Sequence, residues 1–271
     1  MNKKPKIKKR KSIPYVISFF INFIDIQYQI LLVPLFKLSR YDTIEVIYMT
    51  FQFNVSKEVL DLGIKVKAVV IQGIDNTSLS SGYLAYRKDA IQQLQKKYDG
   101  INAKQEAIVQ GFYALHDKVG VRRRKNPPAS ETLIKLLQKR NDLPSINKLV
   151  DIYNIISTHT KLALGAHDID KIDGNVTLRI QDGTERFIPL GSNEPQPVKA
   201  GEYSYIDDSS EIICHLEIRQ VNKTLVDENS KNIYFIIQGN EVTPSSLLDE
   251  TAQKLIDRVT QFCGGQGQII Y

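Results

Sequence analysis

The hydrophobic period of this chain changes at Gly174, and that change constrains the fold more than any other feature. Upstream, apolar residues recur three and four apart, the spacing of helices with one buried face. Ala85–Tyr98 and Lys104–Lys118 read as two helices separated by "DGIN", the second carrying Ala107, Ile108, Gly111, Phe112 and Leu115 on one side. "RRRKNPPA" breaks the chain, and Ser130 is placed to cap the helix of "ETLIKLLQKR", with Lys139 and Arg140 favouring its C-terminal end. "NDLPS" breaks it again. Ser145 then caps a helix whose face is Ile146, Leu149, Val150, Tyr153 and Ile156. Downstream, "VTLRI", "ERFIPL", "EYSYI", "EIICHLEI" and "NIYFIIQG" are strand-like runs separated by turn residues. Thr243 caps a last helix with Pro244 at its first position, and Gly264 and Gly265 stop it. One earlier run, Lys67–Ile74, "KAVVIQGI", fits a buried strand. The expectation is an α+β fold, with a helical first half, a mostly antiparallel β-rich second half and a closing helix.

Charge bears on the class of partner. The net charge is +6, but Lys3, Lys4, Lys6, Lys8, Lys9, Arg10 and Lys11 lie together at the start, and without those seven the chain carries −1. The body is no basic glove for nucleic acid, so RNA contact must come from a local patch. The clearest patch is "RRRK", Arg122, Arg123, Arg124 and Lys125. Ile13–Phe36 is apolar enough to suggest a membrane anchor, but Asn22, Asp25, Gln27 and Gln29 interrupt it. Residues 1–48 are expected to be an N-terminal appendage with Met49 as the natural start, a weak membrane or interfacial segment being the alternative; residues 49–271 form one domain. Cys214 and Cys263 make no disulfide framework; they fit a reducing, cytoplasmic setting, or are simply two buried thiols.

No Gly-rich phosphate loop, paired-cysteine zinc spacing, helical HExxH or serine elbow is present. The segment "SINKLVDIYNIISTHTKLALGAHDIDKIDG", Ser145–Gly174, reads as the amphipathic helix followed by a polar loop, "GAHDIDK". Asp168 and Asp170 alternate as ligands of a metal loop do, yet the oxygen-rich continuation of a calcium loop is missing. The other reading of "HDIDK" is a turn that ends the helix and tethers the next strand. No metal and no cofactor are expected. Asn154 lies beside the apolar stripe, one position after Tyr153. A half-buried amide needs partners. It either fixes the following loop or holds a substrate carbonyl, hydroxyl or water.

The same segment resembles the tRNA-editing module of the bacterial phenylalanyl-tRNA synthetase β chain, with Ser145, Ile146, Val150, Asp151, Asn154, Ala166, Asp168, Ile172 and Gly174 in register. "LVDENSKNIYFI" resembles a later strand of that module, with Val226, Ser230 and Asn232 in step. About residues 49–240 look still more like free-standing relatives of the module, which keep "NPP", "LPSIN", "GAHDIDKI" and "PLG" without an attached synthetase. The synthetase module hydrolyses tyrosine wrongly esterified to phenylalanine tRNA, a second sieve needed because an apolar pocket rejects an added hydroxyl poorly.

The resemblance implies an RNA-binding deacylase that acts in trans on the aminoacylated acceptor end of a mischarged tRNA, or a binding module for an RNA end, amino acid or modified nucleotide that has lost the chemistry. It implies Asn154 and His167 as catalytic residues. Gly165, Ala166, Arg219 and Asn222 would be substrate-binding, and Arg122, Arg123, Arg124 and Lys125 RNA-binding. The module's histidine, eleven residues after the helix asparagine, falls at Gly165 here, and His167 lies two positions on. The module's glutamate aligns with Asn222, with Glu217, Arg219 and Gln220 nearby.

Overall fold

A computed structural model describes residues 51–271. The expectations for residues 1–48 and for a start at Met49 lie outside these. In chain order the elements are β1 (Phe53–Val55), α1 (Lys57–Asp61), β2 (Lys65–Gln72), α2 (Ser81–Tyr98), α3 (Ala107–Lys118), α4 (Ala129–Arg140) and α5 (Lys148–Thr160). There follow β3 (Ala163–Asp168), β4 (Val176–Ile180), β5 (Tyr203–Asp207), β6 (Ile212–His215), β7 (Arg219–Gln220), β8 (Asn232–Gly239), α6 (Ser245–Cys263) and β9 (Gln266–Ile269). The fold is α+β, as the change of period implies. Among the described residues two sheets form, in the orders β1-β4-β5-β6-β7 and β3-β8-β2-β9, and of their strand pairs only β1–β4 is parallel.

The continuous apolar run of β2 follows from its place between two cores. Val69 and Ile71 face α5 and α6, packing with Leu149, Ile152, Ile156 and Leu255. Val66, Ala68 and Val70 face the other sheet, against Phe53, Leu178, Tyr203 and Tyr205. β8 divides in the same way, Ile233, Phe235 and Ile237 toward the helices and Tyr234 and Ile236 toward the second sheet. A strand alternates its side chains between faces. Burial on both faces therefore removes the polar alternate positions, and each Val, Ile or Phe so buried contributes about 1.5–3 kcal/mol. The helices α2, α4 and α5 close a third core around Ile91, Leu94, Tyr98, Ile134, Leu137 and Ile155.

Several local expectations are corrected. "GAHDIDK" is not a loop at its start: Ala163–Asp168 forms β3, paired antiparallel to β8 with Gly165 opposite Ile236 and His167 opposite Tyr234. Only Ile169–Lys171 turns, capped by the Asp168 side chain, which accepts from Asp170 N. "ERFIPL" forms no regular strand; single bridges join Arg186 to Glu211 and Pro189 to Val221, and proline lacks the N–H that a continuing ladder needs. "EIICHLEI" is a strand only over β6 and ends at His215, because Leu216 adopts φ +55°, left-handed, and turns the chain through Ile218 into β7. Ser130 lies buried inside α4, which begins one residue earlier. Asn147 caps α5 by accepting from Val150 N. Ser145 Oγ instead donates to Asp151 at 2.8 Å, joining Tyr83 Oη at 3.0 Å, Arg87 Nε at 3.2 Å and Ile146 N at 2.9 Å on one buried carboxylate. Thr243 Oγ1 accepts from Asn240 N rather than capping α6. Among the described residues no helix is long and apolar enough to cross a membrane.

Candidate functional site

A cavity of about 560 Å³ opens where α4, α5, β3 and the β6–β7 hairpin converge. Its apolar wall includes Ala129 and Leu133 of α4, Leu164 of β3, Leu190 and Ile218. Its polar groups come from Tyr153 and Asn154 of α5 and from Glu217, Arg219 and Gln220 of the hairpin. Gly165 forms part of the wall, and a Cβ there would come within 3.2 Å of Gln220 Nε2. The glycine therefore keeps the cavity open, at a strand position whose backbone demands no glycine.

Asn154 is half-buried, and among the described residues its side-chain amide has no protein partner; only its backbone carbonyl is engaged, by Thr158 Oγ1 at 2.7 Å. The loop that follows is fixed by other groups. Ser157 Oγ donates to Leu162 O at 2.7 Å, and Thr160 Oγ1 accepts from Leu162 N at 3.3 Å. The amide is left directed to the cavity.

The hairpin brings a carboxylate that sequence reading placed only nearby. The left-handed Leu216, whose N donates to Tyr203 O at 3.1 Å, precedes Glu217 at the tip. One Glu217 oxygen is 2.7 Å from His116 Nε2, and the other accepts from the Tyr203 hydroxyl. The chain of bonds continues: Gln238 Nε2 donates to Tyr203 Oη at 3.4 Å, and Tyr205 Oη donates to Gln238 Oε1 at 2.6 Å. Burial opposes charge on His116, but the adjacent Glu217 carboxylate outweighs it by charge and by hydrogen bond, raising the imidazole above its ordinary range. A protonated His116 matches the carboxylate. Burial also holds the Tyr203 hydroxyl protonated and pushes the cavity-lining Cys214 thiol upward, favouring the thiol over the thiolate. The Glu217 side chain is only 1% exposed and both its oxygens are engaged, so the carboxylate braces the hairpin tip behind the cavity wall.

The other sequence-expected residues fall in distinct places. Arg219 lines the cavity, its Nη2 donating to Asn126 Oδ1 at 3.0 Å. Ala166, one residue from Gly165, faces the opposite side of β3 into the helix-side core. His167 shares the Gly165 face but is sealed behind it, 1% exposed, with Nδ1 2.8 Å from Thr224 Oγ1. Among the described residues its Nε2 has no partner, and it lies 3.9 Å from where a Gly165 Cβ would sit. Burial pushes it down to about 3, so the ring is neutral. Asn222 is exposed, accepting from Gly191 N at 3.1 Å and donating to Ser192 O; it holds the loop next to Leu190 instead of lining the cavity. Arg123 is bound to Asp117 and lies over the Tyr113 ring, Arg124 is exposed, and Arg122 and Lys125 line a neighbouring cleft.

Asp168 and Asp170 are tethers. Asp168 accepts from Ser230 Oγ at 2.6 Å and pairs with Lys171, and Asp170 accepts from Asn232 Nδ2 at 3.2 Å. Asp173, Asp207 and Glu211 form a three-carboxylate cluster, into which Lys223 inserts its ammonium at 2.6–2.9 Å from each. The signal that could have drawn attention to Glu217 and His116 was slight, since they are 101 residues apart.

Comparison with known proteins identifies the lineage of this arrangement. Residues 117–255, slightly more than half of the chain, match the family model of the B3/4 domain. The chain is similar to the phenylalanine–tRNA ligase β subunit of Mycoplasmoides gallisepticum, 38% identical over 100 residues, 37% of this chain and 12% of that protein. It is also similar to the Mycoplasma pneumoniae β subunit, 29% identical over 115 residues, 42% of this chain and 14% of that protein. An N-terminal fragment of the phenylalanyl-tRNA synthetase β subunit from Pyrococcus horikoshii aligns with a TM-score of 0.45 and 15% identity, over 80% of this chain and 50% of that one. The matched segments are thus a small part of each ligase subunit. By the family match, which spans α4, α5, β3 and the hairpin that build the cavity, the chain belongs to the B3/4 domain family.

Proposed function

We propose that the chain binds the aminoacylated 3′ end of a tRNA in this cavity and hydrolyses the ester of a mischarged tRNA in trans. The observation that carries the reading is the Asn154 amide, half-buried at the rim of an apolar cavity with no protein partner among the described residues. A polar group left unpaired in a partly dry site costs stability, and a ligand group that pairs with it recovers that cost. An aminoacyl ester supplies such a group in its carbonyl. The amino-acid side chain then lies against Leu133, Leu164, Leu190 and Ile218. Arg219 and the Gln220 amide offer further donors, and the oxygen of the Asn154 amide accepts from the attacking water, a role for which sequence reading also named His167. Ester hydrolysis of this kind needs a positioned water and donors for the developing oxyanion more than a strong nucleophile. The two free, buried thiols fit a reducing cytoplasmic setting.

A second reading, binding without turnover, draws on the sealing of His167 behind Gly165. One experiment separates the two. The protein is incubated with a panel of tRNAs, each charged with a wrong amino acid, and the loss of the ester is followed. Accelerated loss from at least one supports the hydrolase. Retention of every ester by tRNA that remains bound refutes hydrolysis and leaves the binding module.

A further inference from the structure

Beside the cavity lies a second cleft of about 370 Å³, and the two share Arg219 and Gln196 in their walls. Its lining carries four cations, Arg122, Lys125, Lys199 and Arg219, against one carboxylate, Glu202. Glu202 is already engaged, 2.8 Å from His215 Nε2. None of the four cations has an ion-pair partner among the described residues, whereas neighbouring Arg123 spends its charge on Asp117. Like charges held together without a counter-ion repel one another, and an anion relieves that repulsion.

The cleft is built rather than incidental. Asn126 accepts from Arg219 and donates through Nδ2 to the Arg122 carbonyl at 3.1 Å, tying the basic turn to the hairpin that carries Glu217. Lys125 N donates to Arg122 O at 3.1 Å, setting those two residues on one turn. Lys199 arrives from a loop more than seventy residues away, its ammonium 3.3 Å from the position a Gly120 Cβ would take. His215 lines the cleft beside these cations, its Nε2 holding Glu202 in place at 2.8 Å.

We infer that this cleft is a phosphate-binding subsite that takes a backbone phosphodiester of the RNA whose acylated end enters the adjoining cavity. The inference rests on the proposed function for the identity of the RNA, and on the cleft itself for the phosphate. It divides the basic motif: Arg122 and Lys125 contact phosphate, joined by the distant Lys199, and Arg123 does not.

The test measures affinity for an uncharged acceptor-stem minihelix ending in a single-stranded CCA, over about 50–200 mM salt. Four proteins are compared: wild type, the double variant Arg122→Ala/Lys125→Ala, Lys199→Ala and Arg123→Ala. Each lost phosphate contact lowers the slope of log K against log salt by about 0.7–0.9. The double variant should therefore flatten the slope by about 1.5, Lys199→Ala by about half of that, and Arg123→Ala by nothing measurable. Among the described residues the mutated side chains have no hydrogen-bond or ion-pair partner, except that of Arg123, and circular dichroism verifies folding. An unchanged slope in the double variant or in Lys199→Ala would overturn the inference, as would an equal loss in Arg123→Ala. Displacement of the minihelix by micromolar inorganic phosphate would also overturn it, pointing to a free phosphate ligand. The outcomes stay separable from the hydrolase reading. Flattened slopes without deacylation keep the cleft and lose the hydrolase; deacylation with unchanged slopes does the reverse.

Discussion

Replacing Asn154 with alanine should leave the protein as stable as before, or more so, while disabling its site. The position is interior to α5, where alanine exceeds asparagine in helix propensity by about 0.5 kcal/mol. The lost amide has no protein partner among the described residues, so no internal hydrogen bond offsets that gain. For a domain of this size 1 kcal/mol moves Tm by roughly 2–4 °C, so the variant should melt within a degree or two of wild type, on the high side. If the amide stabilises the ester oxyanion, its loss should slow deacylation by about 10²–10³, or 2.7–4 kcal/mol of barrier. Urea unfolding monitored by circular dichroism, beside single-turnover deacylation of a mischarged tRNA, measures both quantities. Destabilisation by more than about 1 kcal/mol would refute the reasoning, because the amide would then serve the fold. So would undiminished deacylation.

Asp151, three residues earlier on the same helix, should behave in the opposite way: Asp151→Ala strands the Arg87, Tyr83 and Ser145 donors and should cost about 3–5 kcal/mol in a urea melt. Gly165→Val should fill the cavity against Gln220 and raise KM for an aminoacyl substrate well before it lowers the melting temperature, checked by initial-rate kinetics and calorimetry. Two histidines should shape the pH dependence of stability in opposite windows. His167 stays neutral down to about pH 3 when folded, so below its ordinary value of about 6.5 the unfolded chain takes up a proton that the folded one refuses. Its contribution is lost as pH falls, by up to about 1.4 kcal/mol per unit, and His167→Gln should flatten that limb of a stability–pH curve. His116, raised by Glu217, contributes fully below about 6.5 and loses its contribution as pH rises through its folded value, and Glu217→Gln should remove that alkaline limb.

The sequence made the large features of the fold readable because burial leaves a periodic trace. The Lys67–Ile74 run is β2, and the spacing of Leu149, Val150, Tyr153 and Ile156 is the buried face of α5. It misread β3 because Gly165, His167 and Asp168 look like loop residues alone. Only pairing with β8, some seventy residues on, makes them a strand. Caps were displaced where a side chain found a distant partner, as Ser145 did in Asp151. Asn154, Gly165 and Arg219 do meet at one cavity, whereas Glu217 and His116 were hidden by sequence distance. Asn222 aligns with the position of the module's glutamate, yet its side chain turns to the Gly191–Ser192 loop. Alignment fixes register along a chain and says little of the direction a side chain takes at a hairpin.

The central claim is that the cavity receives an aminoacyl end through Asn154. Titration with a non-hydrolysable 3′-aminoacylamino-adenosine, read by the side-chain amide resonances of Asn154 in ¹⁵N NMR, addresses it directly. The account predicts a saturable shift of those resonances, lost in Asn154→Ala, together with shifts at Gly165 and Gln220. Saturable binding of the analogue that leaves Asn154, Gly165 and Gln220 unmoved would contradict it.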